Sequence, residues 1–376
     1  MRVLFVAYRD FANPQAVGGD FYLWELARGL ATRGHFVTLM CTSFNGSKPK
    51  ETSDGVEIVR VEASLTLPLK IFKKYLEVFK GRFDIVVEEI IGGQRFPFFS
   101  VLYAGVPVVA VWHQRNAKVF WEQYPPFLAL PLSSLEYLLA KLYRKSTVLT
   151  PSEGAKAELG LLGIHAEKIQ VVYDGVDEKF IDLDLSGPRE NVVVCLGKLR
   201  RYKRIDHAIL AFKKVVECVN KPVKLVVAGK LSEIDRGYLD QLKKLVKQLG
   251  LEGSVEFRIN IPENEKLELL KRAKVLVQPS PVEGFSIVVA EANRCGTPVV
   301  VSDGVPFDVV KDGVNGYFYH FGDLDDFAAK TAKLLSDGNQ WFKMSKNAYG
   351  WSKQFTWAAS TEKFELTLKN CHECCR

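Results

Sequence analysis

The chain has 376 residues, of which 47% are hydrophobic and 25% charged, and it carries a net charge of +7. That length is more than one ordinary domain needs, and the composition is that of a folded globular protein rather than a disordered one. No apolar run reaches the roughly 18 residues of a membrane span, and no domain-wide basic field points to nucleic acid. The opening MRVLFVAYRD turns polar too soon for a signal peptide and reads as a first buried strand, so the expected location is cytoplasmic.

In the first half, apolar β-rich runs predict strands at Val3–Ala7, His35–Thr42, Val56–Val61, Asp84–Glu89, Val106–His113, Ser146–Pro151 and Ile169–Val172. Asp20–Arg33 has Phe21, Trp24, Ala27, Leu30 and Ala31 at helical spacing, with Gly34 as a left-handed cap. The segment LPLKIFKKYLEVFKGRF sets Leu69, Phe72, Leu76 and Phe79 on one face and Lys70, Lys73, Lys74 and Lys80 elsewhere. An ordinary packed helix is the expectation; the rival is peripheral docking on an anionic membrane, with a lipid-linked acceptor. The aromatic stretch FWEQYPPFLALPLSSLEYLL either lines an acceptor site or packs.

Asp182–Asn191 is polar with Gly and Pro and reads as a linker. Strands are then expected at Val192–Leu196, Lys224–Ala228, Val255–Arg258, Val275–Gln278 and Val299–Ser302. Helices Ile205–Val219, Tyr238–Leu249, Glu263–Ala273 and Ser286–Cys295 fall between them. Such alternation implies two doubly wound parallel α/β domains, with ligands at the carboxyl ends of the strands and a cleft between the domains. Cys41, Cys195, Cys218 and Cys295 lie in apolar surroundings and suit buried thiols in a reducing compartment. Cys371, His372, Cys374 and Cys375 crowd a tail that reads as frayed rather than as a zinc site.

Four segments carry candidate chemistry. In SPVEGFSIVVAEA, Gly284 allows a tight turn and Phe285 and Ser286 open a helix whose free N–H groups suit a phosphate. Glu291, inside that helix among small and apolar neighbours, is expected to be partly buried and partnered, and suited to a diol such as a ribose; Glu283 would face the other end of the ligand. In LGKLRRYKR, Lys198 and Lys203 follow a strand and suit a departing diphosphate. Gly18 and Gly19 lie between the first strand and first helix, but no GxGxxG fingerprint or acidic strand end accompanies them, which disfavours a nicotinamide site. His113 stands at a strand's carboxyl end. Of the two DxD strings, Asp323-Leu324-Asp325 reads as a helix cap and Asp182-Leu183-Asp184 as linker, so neither supports a metal site.

In this order the segments resemble the retaining glycosyltransferases of family 4, which have the GT-B fold of two facing Rossmann-like domains. The resemblance rests on Glu283 and Glu291 in their E-x7-E spacing, ANRCGTPVVVSD after it, LKRAKVLVQPS before it, VVYDGVD, VVKDGVNGYFY, the 197–203 segment and the GG…LARGLATRGH start. It implies a nucleotide-sugar donor, UDP- or GDP-linked, no resident cofactor and no metal. It also implies transfer to a hydroxyl of a glycan or lipid-linked acceptor with retained configuration, by front-face displacement. Carried over, Lys198 and Lys203 would bind the diphosphate, Glu291 the ribose and Glu283 the sugar. Phe285, Ser286 and Ile287 would offer amides, Gly18 and Gly19 would pass close to phosphate, and His113 would sit near the reacting sugar. The implied domains are an acceptor domain at 1–181, a donor domain at 182–350 and a final segment, 351–376, crossing back to the first. Asp174 before Gly175, the single Gly304 and Asp308 depart from the family pattern and leave donor identity open. A nucleotide-sugar epimerase and a noncatalytic sugar-binding protein are the rival readings.

Overall fold

The computed structural model describes residues 1–91, 97–180, 187 and 189–373. Most of the expected linker at 182–191, its DxD string, and Cys374 and Cys375 lie outside them. The chain forms two compact units, one of residues 1–120, 125–175 and 355–376, the other of 121–124 and 176–354.

The first unit runs β1 (Arg2–Val6), α1 (Gly18–Thr32), β2 (Phe36–Thr42), β3 (Lys50–Ser53), β4 (Val56–Val61), α2 (Leu67–Lys74), β5 (Ile85–Ile90), β6 (Val108–Trp112), α3 (Ala117–Gln123), α4 (Pro126–Tyr143), β7 (Thr147–Thr150), α5 (Glu153–Gly160) and β8 (Ile169–Val171). Its eight-stranded sheet has the order β3-β4-β2-β1-β5-β6-β7-β8. Only β3 against β4 is antiparallel among these pairs. β3 is absent from the expectation above because KETS is a polar, half-exposed edge strand with no apolar alternation to read.

Helices cover both faces of this sheet, which is why its central strands are apolar along their whole length rather than alternating. Val3, Phe5 and Ala7 point to one face, where they meet Leu23, Leu26 and Leu30 of α1. Leu4, Val6 and Val86 point to the other, toward α2 and the turn after it. There the structure corrects the sequence reading. The packed stripe is Leu67, Ile71, Tyr75 and Phe79, whereas Leu69, Phe72 and Leu76 face solvent. The four-residue spacing of the buried set stays in line because the helix widens to an i→i+5 turn over Tyr75–Phe79.

The second unit continues with β9 (Glu190–Leu196), α6 (Ile205–Cys218), β10 (Lys224–Gly229), α7 (Arg236–Gln248), β11 (Val255–Ile259), α8 (Glu263–Arg272), β12 (Ala273–Gln278), α9 (Ile287–Arg294), β13 (Val299–Ser302), β14 (Gly316–Tyr319), α10 (Leu324–Ser336) and α11 (Gly338–Ser352). Its six strands are all parallel, in the order β11-β10-β9-β12-β13-β14. Alternate side chains of the central strands pack against crossover helices on one face, as with Val193 and Cys195 against Ile209 and Phe212 of α6. Asp323 caps α10 by accepting the Asp326 N–H at 2.9 Å, as its sequence position predicts.

α12 (Trp357–Glu373) belongs to the first unit, where Phe364 and Leu368 are fully buried with the α1 side of the core. The helix is ordered through His372, and Cys371 Sγ lies 3.1 Å from Thr147 Oγ1, so the described part of the tail is not frayed. Among the described residues no three His, Cys, Asp or Glu side chains gather as a metal would require.

Candidate functional site

In the second unit the chain leaves β9 toward β10 and β11 on one side, then returns to β12 on the other. The carboxyl ends of β9 and β12 therefore flank a topological switch point, where open parallel sheets bind ligands. Lys203 follows β9 and Glu283 follows β12, and the structure brings them together with Lys203 Nζ 2.5 Å from Glu283 Oε1. The same oxygen accepts from Gln278 Nε2 at 2.6 Å, and Gln278 also reaches Ser280 Oγ at 3.1 Å. The loop is held from behind, since the Glu283 N–H donates to Gly304 O at 2.9 Å. Gly304 has to be glycine: a Cβ there would meet the Pro281 carbonyl and stand 2.8 Å from Ser280 O.

Both partners of the pair are largely buried. Burial works against the Lys203 ammonium, but the Glu283 carboxylate, Tyr202 and their hydrogen bonds outweigh it, so the lysine titrates above its ordinary value. Its Nζ also lies 5.1 Å from the centre of the Tyr202 ring. Lys198 is half-buried on the same loop, with its carbonyl accepting the Arg200 N–H at 2.8 Å.

α9 begins just beyond Glu283. The residue in the left-handed region is Ser286 (φ 76°), not Gly284, which corrects the turn expected from the sequence. A side chain in that conformation is strained, and such strain gathers at functional positions. Its Oγ is buried without a hydrogen-bond partner. The first N–H groups of α9 have no intrahelical acceptor, so positive dipole and donors meet at this tip. Phe285 is buried and Ile287 half-buried beside it. Five residues into α9, Glu291 is 5% exposed, and Lys266 of α8 donates to its Oε1 at 2.7 Å. Glu291 Oε2 is buried without a partner. Burial pushes this carboxyl up and Lys266 counters it. Lys266 is also 2.8 Å from Glu263, which Lys179 approaches at 3.1 Å, and these carboxylates raise the lysine against its own burial. The expectation that Glu291 is buried and partnered holds. Glu283 and Glu291 are thus engaged by different lysines, one following β9 and one on α8.

The first unit has its own switch point between β1 and β5. α1 starts at Gly18, and Gly19 packs so tightly on His113 that a Cβ would stand 2.8 Å from the imidazole Nε2. Gly18 makes no such approach. The His113 ring meets Tyr22 edge-on at 5.4 Å, and Tyr22 is fixed by donating to Val172 O at 2.8 Å. Glu89, at the end of β5, accepts the Tyr8 N–H at 3.1 Å and places Oε1 3.9 Å from His113 Nε2. That is outside hydrogen-bond reach, so burial dominates and pushes the His113 pKa down to about 4. The imidazole is neutral at pH 7. A cavity of about 650 Å³ opens nearby, lined by Tyr8, Arg9, Asn13, Thr42, Ser43 and Asn45 among others. Arg9 is already paired with Asp20 at 3.0 Å.

Sequence reasoning missed Lys266, Gln278 and Glu89. Lys266 looks like any charge on an amphipathic helix, and nothing in its spacing marks it. Gln278 and Glu89 did leave a signal, as polar residues ending strands that are otherwise apolar.

Two parallel-sheet α/β units in one chain are the architecture of the GT-B glycosyltransferases. Two family models match consecutive parts of the chain, Glycosyltransferase Family 4 over residues 17–180 and Glycosyl transferases group 1 over 178–351, and the chain belongs to this family. Sucrose-phosphate synthase from Thermosynechococcus elongatus has the same fold over 99% of both chains, with a TM-score of 0.81 at 17% identity. HepE of Anabaena, solved with UDP and glucose, matches 98% of this chain and 100% of its own, with a TM-score of 0.76 at 18% identity. Among curated relatives, an uncharacterized glycosyltransferase of Methanocaldococcus jannaschii is 31% identical over 221 residues, 55% of this chain and 54% of the relative. The D-inositol 3-phosphate glycosyltransferase of Corynebacterium aurimucosum is 29% identical over 192 residues, 48% and 45% respectively. The chain spans about half the length of the curated relatives it matches.

Proposed function

We propose that the protein transfers a sugar from a nucleotide-diphosphate sugar, UDP- or GDP-linked, to an acceptor hydroxyl, with retention of configuration and without a metal. The observation that carries this reading is the meeting of Lys203, Glu283 and Gln278 beside the tip of α9, with one oxygen of Glu291 left unpartnered.

The donor's diphosphate takes its countercharge from Lys203, supported by Lys198 and the amides of Phe285, Ser286 and Ile287. Glu291 accepts from a ribose hydroxyl through Oε2, while Lys266 fixes Oε1. Glu283 accepts from hydroxyls of the transferred sugar, and its pairing with Lys203 keeps that lysine charged in the empty protein. In the first unit, His113 acts at the reacting sugar as a neutral imidazole, and the backbone at Gly18 and Gly19 allows close passage of substrate. As the bond from the anomeric carbon to the diphosphate oxygen breaks, the acceptor oxygen bonds to the same face. The departing phosphate takes the acceptor's proton. Lys203 and the α9 dipole stabilise the charge that develops, the task a cation performs elsewhere. The acceptor hydroxyl belongs to a glycan or lipid-linked sugar, for which the cavity at Asn13, Thr42 and Asn45 supplies hydrogen-bonding groups beside the apolar Phe44, Leu65 and Leu67.

Calorimetry with UDP, GDP and ADP tests the donor, followed by product analysis with the matching nucleotide sugar. Binding of one nucleotide diphosphate that weakens in Glu291→Gln supports the reading. No binding of any of them, or release of an epimerised nucleotide sugar without need of an acceptor, overturns it.

A further inference from the structure

Most of the large apolar side chains that the described chain exposes fall between Leu65 and Leu138, all but two of them in the first unit. Apart from Leu102, Trp121 and Tyr124, they sit on or beside two helices. On α4, Ala129, Ser133, Leu139, Ala140 and Tyr143 face the protein, yet the opposite side is also apolar: Phe127 is 74% exposed, Leu130 60% and Leu138 63%. Surface helices ordinarily turn charged residues outward, so a helix apolar on both sides has an uncovered face. On α2 and the turn after it, Leu69, Phe72 and Leu76 form a second outward stripe, with Leu65 just before.

The two helices cover the same face of the sheet. Val108, Ala110 and Trp112 alternate along β6 and so share one side. Val108 belongs to the core under α2, and Ala110 and Trp112 to the core under α4, with Val101 packing against both. The short turn Ser100–Leu102 lies next to α2, where Tyr103 touches Phe72 at 4.9 Å between ring centres, and it exposes Leu102 as well. The apolar surface is therefore carried by neighbouring elements on one side of the unit.

Its net charge is positive, although Lys70 pairs with Glu62 at 2.6 Å and Lys73 with Glu77 at 3.8 Å. Residues 62–82 hold five Lys or Arg against Glu62 and Glu77. Residues 117–145 hold four against Glu122 and Glu136, and Glu136 is fully buried, accepting the Asn116 N–H at 2.7 Å. Lys141, Arg144 and Lys145 stand at the end of α4. Apolar side chains ringed by lysines suit an interface of acyl chains and anionic headgroups, into which lysine stems extend while their ammonium groups stay hydrated. A second copy of the chain fits less well, because a two-fold contact would set these like charges against one another. No helix among the described residues is long and apolar enough to cross a membrane, so the contact would be peripheral.

We infer that the α2–α4 face of the first unit docks on the surface of an anionic bilayer, with Phe127, Leu130 and Leu138 entering the headgroup boundary. The inference stands apart from the transferase reading, since neither stripe touches the groups assigned to the donor.

Flotation of the full chain with vesicles tests it, using phosphatidylcholine alone and equal parts phosphatidylcholine and phosphatidylglycerol. Binding to the mixed vesicles alone is expected, and high salt should release it. Phe127→Ser/Leu130→Ser/Leu138→Ser and Lys141→Glu/Lys145→Glu should each lower the bound fraction on the order of tenfold. Both variants should keep the unfolding temperature and nucleotide binding of the parent, since the changed side chains face solvent. Failure to bind mixed vesicles, binding that the variants leave unchanged, or a stable dimer in sedimentation velocity that the serine variant dissociates would each overturn it.

Discussion

Replacing Lys203 with methionine separates the two things this lysine is proposed to do. With Nζ 2.5 Å from Glu283 Oε1, the gross attraction is about 7 kcal/mol at an effective dielectric constant near 20. Desolvating two ions offsets several kcal/mol of that, so the intact pair adds little net stability. Removing one partner differs, because it leaves Glu283 buried with Gln278 as its remaining neutral donor. Lys203→Met should therefore lose about 3 kcal/mol in urea unfolding, at the lower end for a broken buried pair. It should also lose about 2–4 kcal/mol of transition-state stabilisation, read as a fall in kcat/KM of roughly 30- to 1000-fold. The double variant Lys203→Met/Glu283→Gln removes the stranded charge and should recover most of the stability while remaining inactive. The pH dependence has a definite sign. The folded pKa of Lys203 lies above its ordinary 10.5, so its contribution is complete below that value and is lost only as pH rises through the higher folded one. The stability gap between parent and variant should accordingly stay flat from pH 6 to 9. Recovery of activity in the double variant, or a single variant that keeps kcat/KM within about threefold, would refute the assigned role.

Other expectations are more local. Glu291→Gln should weaken nucleotide-diphosphate binding about 10- to 100-fold by calorimetry, the loss for a hydrogen bond to a charged group. Because burial holds His113 near pKa 4 against an ordinary 6.5, stability should fall by about 3 kcal/mol as pH drops from about 6.5 to about 4. His113→Gln should remove that component of the denaturation profile. Gly19→Ala would press on the imidazole at 2.8 Å; unfolding should shift by less than about 1 kcal/mol while kcat/KM falls on the order of a hundredfold through misplacement. Transfer should survive EDTA, and a loss restored by Mg²⁺ or Mn²⁺ would contradict the role given to Lys203.

The parallel strands were readable because burial on both faces leaves them as unbroken apolar runs, as in VVAVW and VVVC. The helix tip at Ser286 was readable for a related reason, since a loop that must turn into a helix at a strand end is marked by Gly and small residues. β3 was not, because an edge strand paired on one side can be as polar as KETS. On α2 the chain carries two apolar stripes, and periodicity alone does not say which one the sheet takes. Lys266 shows the same limit at the site: α8 offers Lys266 and Lys271, and only the approach of α8 to α9 selects one. The tight turn was expected at Gly284, whereas Ser286 takes the left-handed backbone, a conformation that its residue type does not announce.

The place of α12 bears on how the protein is made. Phe364 and Leu368 fill the core beneath Phe5 and Leu26, and Ser360 Oγ donates to Tyr173 O at 2.7 Å. During synthesis residues 1–175 leave the ribosome without the helix that completes their core, and the intervening unit, whose chain is continuous from Val176 to Gln354 apart from Trp121–Tyr124 at the end of α3, can close before them. The amino-terminal half thus waits for α12, with part of the core under α1 uncovered until that helix is translated. A nascent chain stalled near Gln354 should be cut by protease in its first half well before its second.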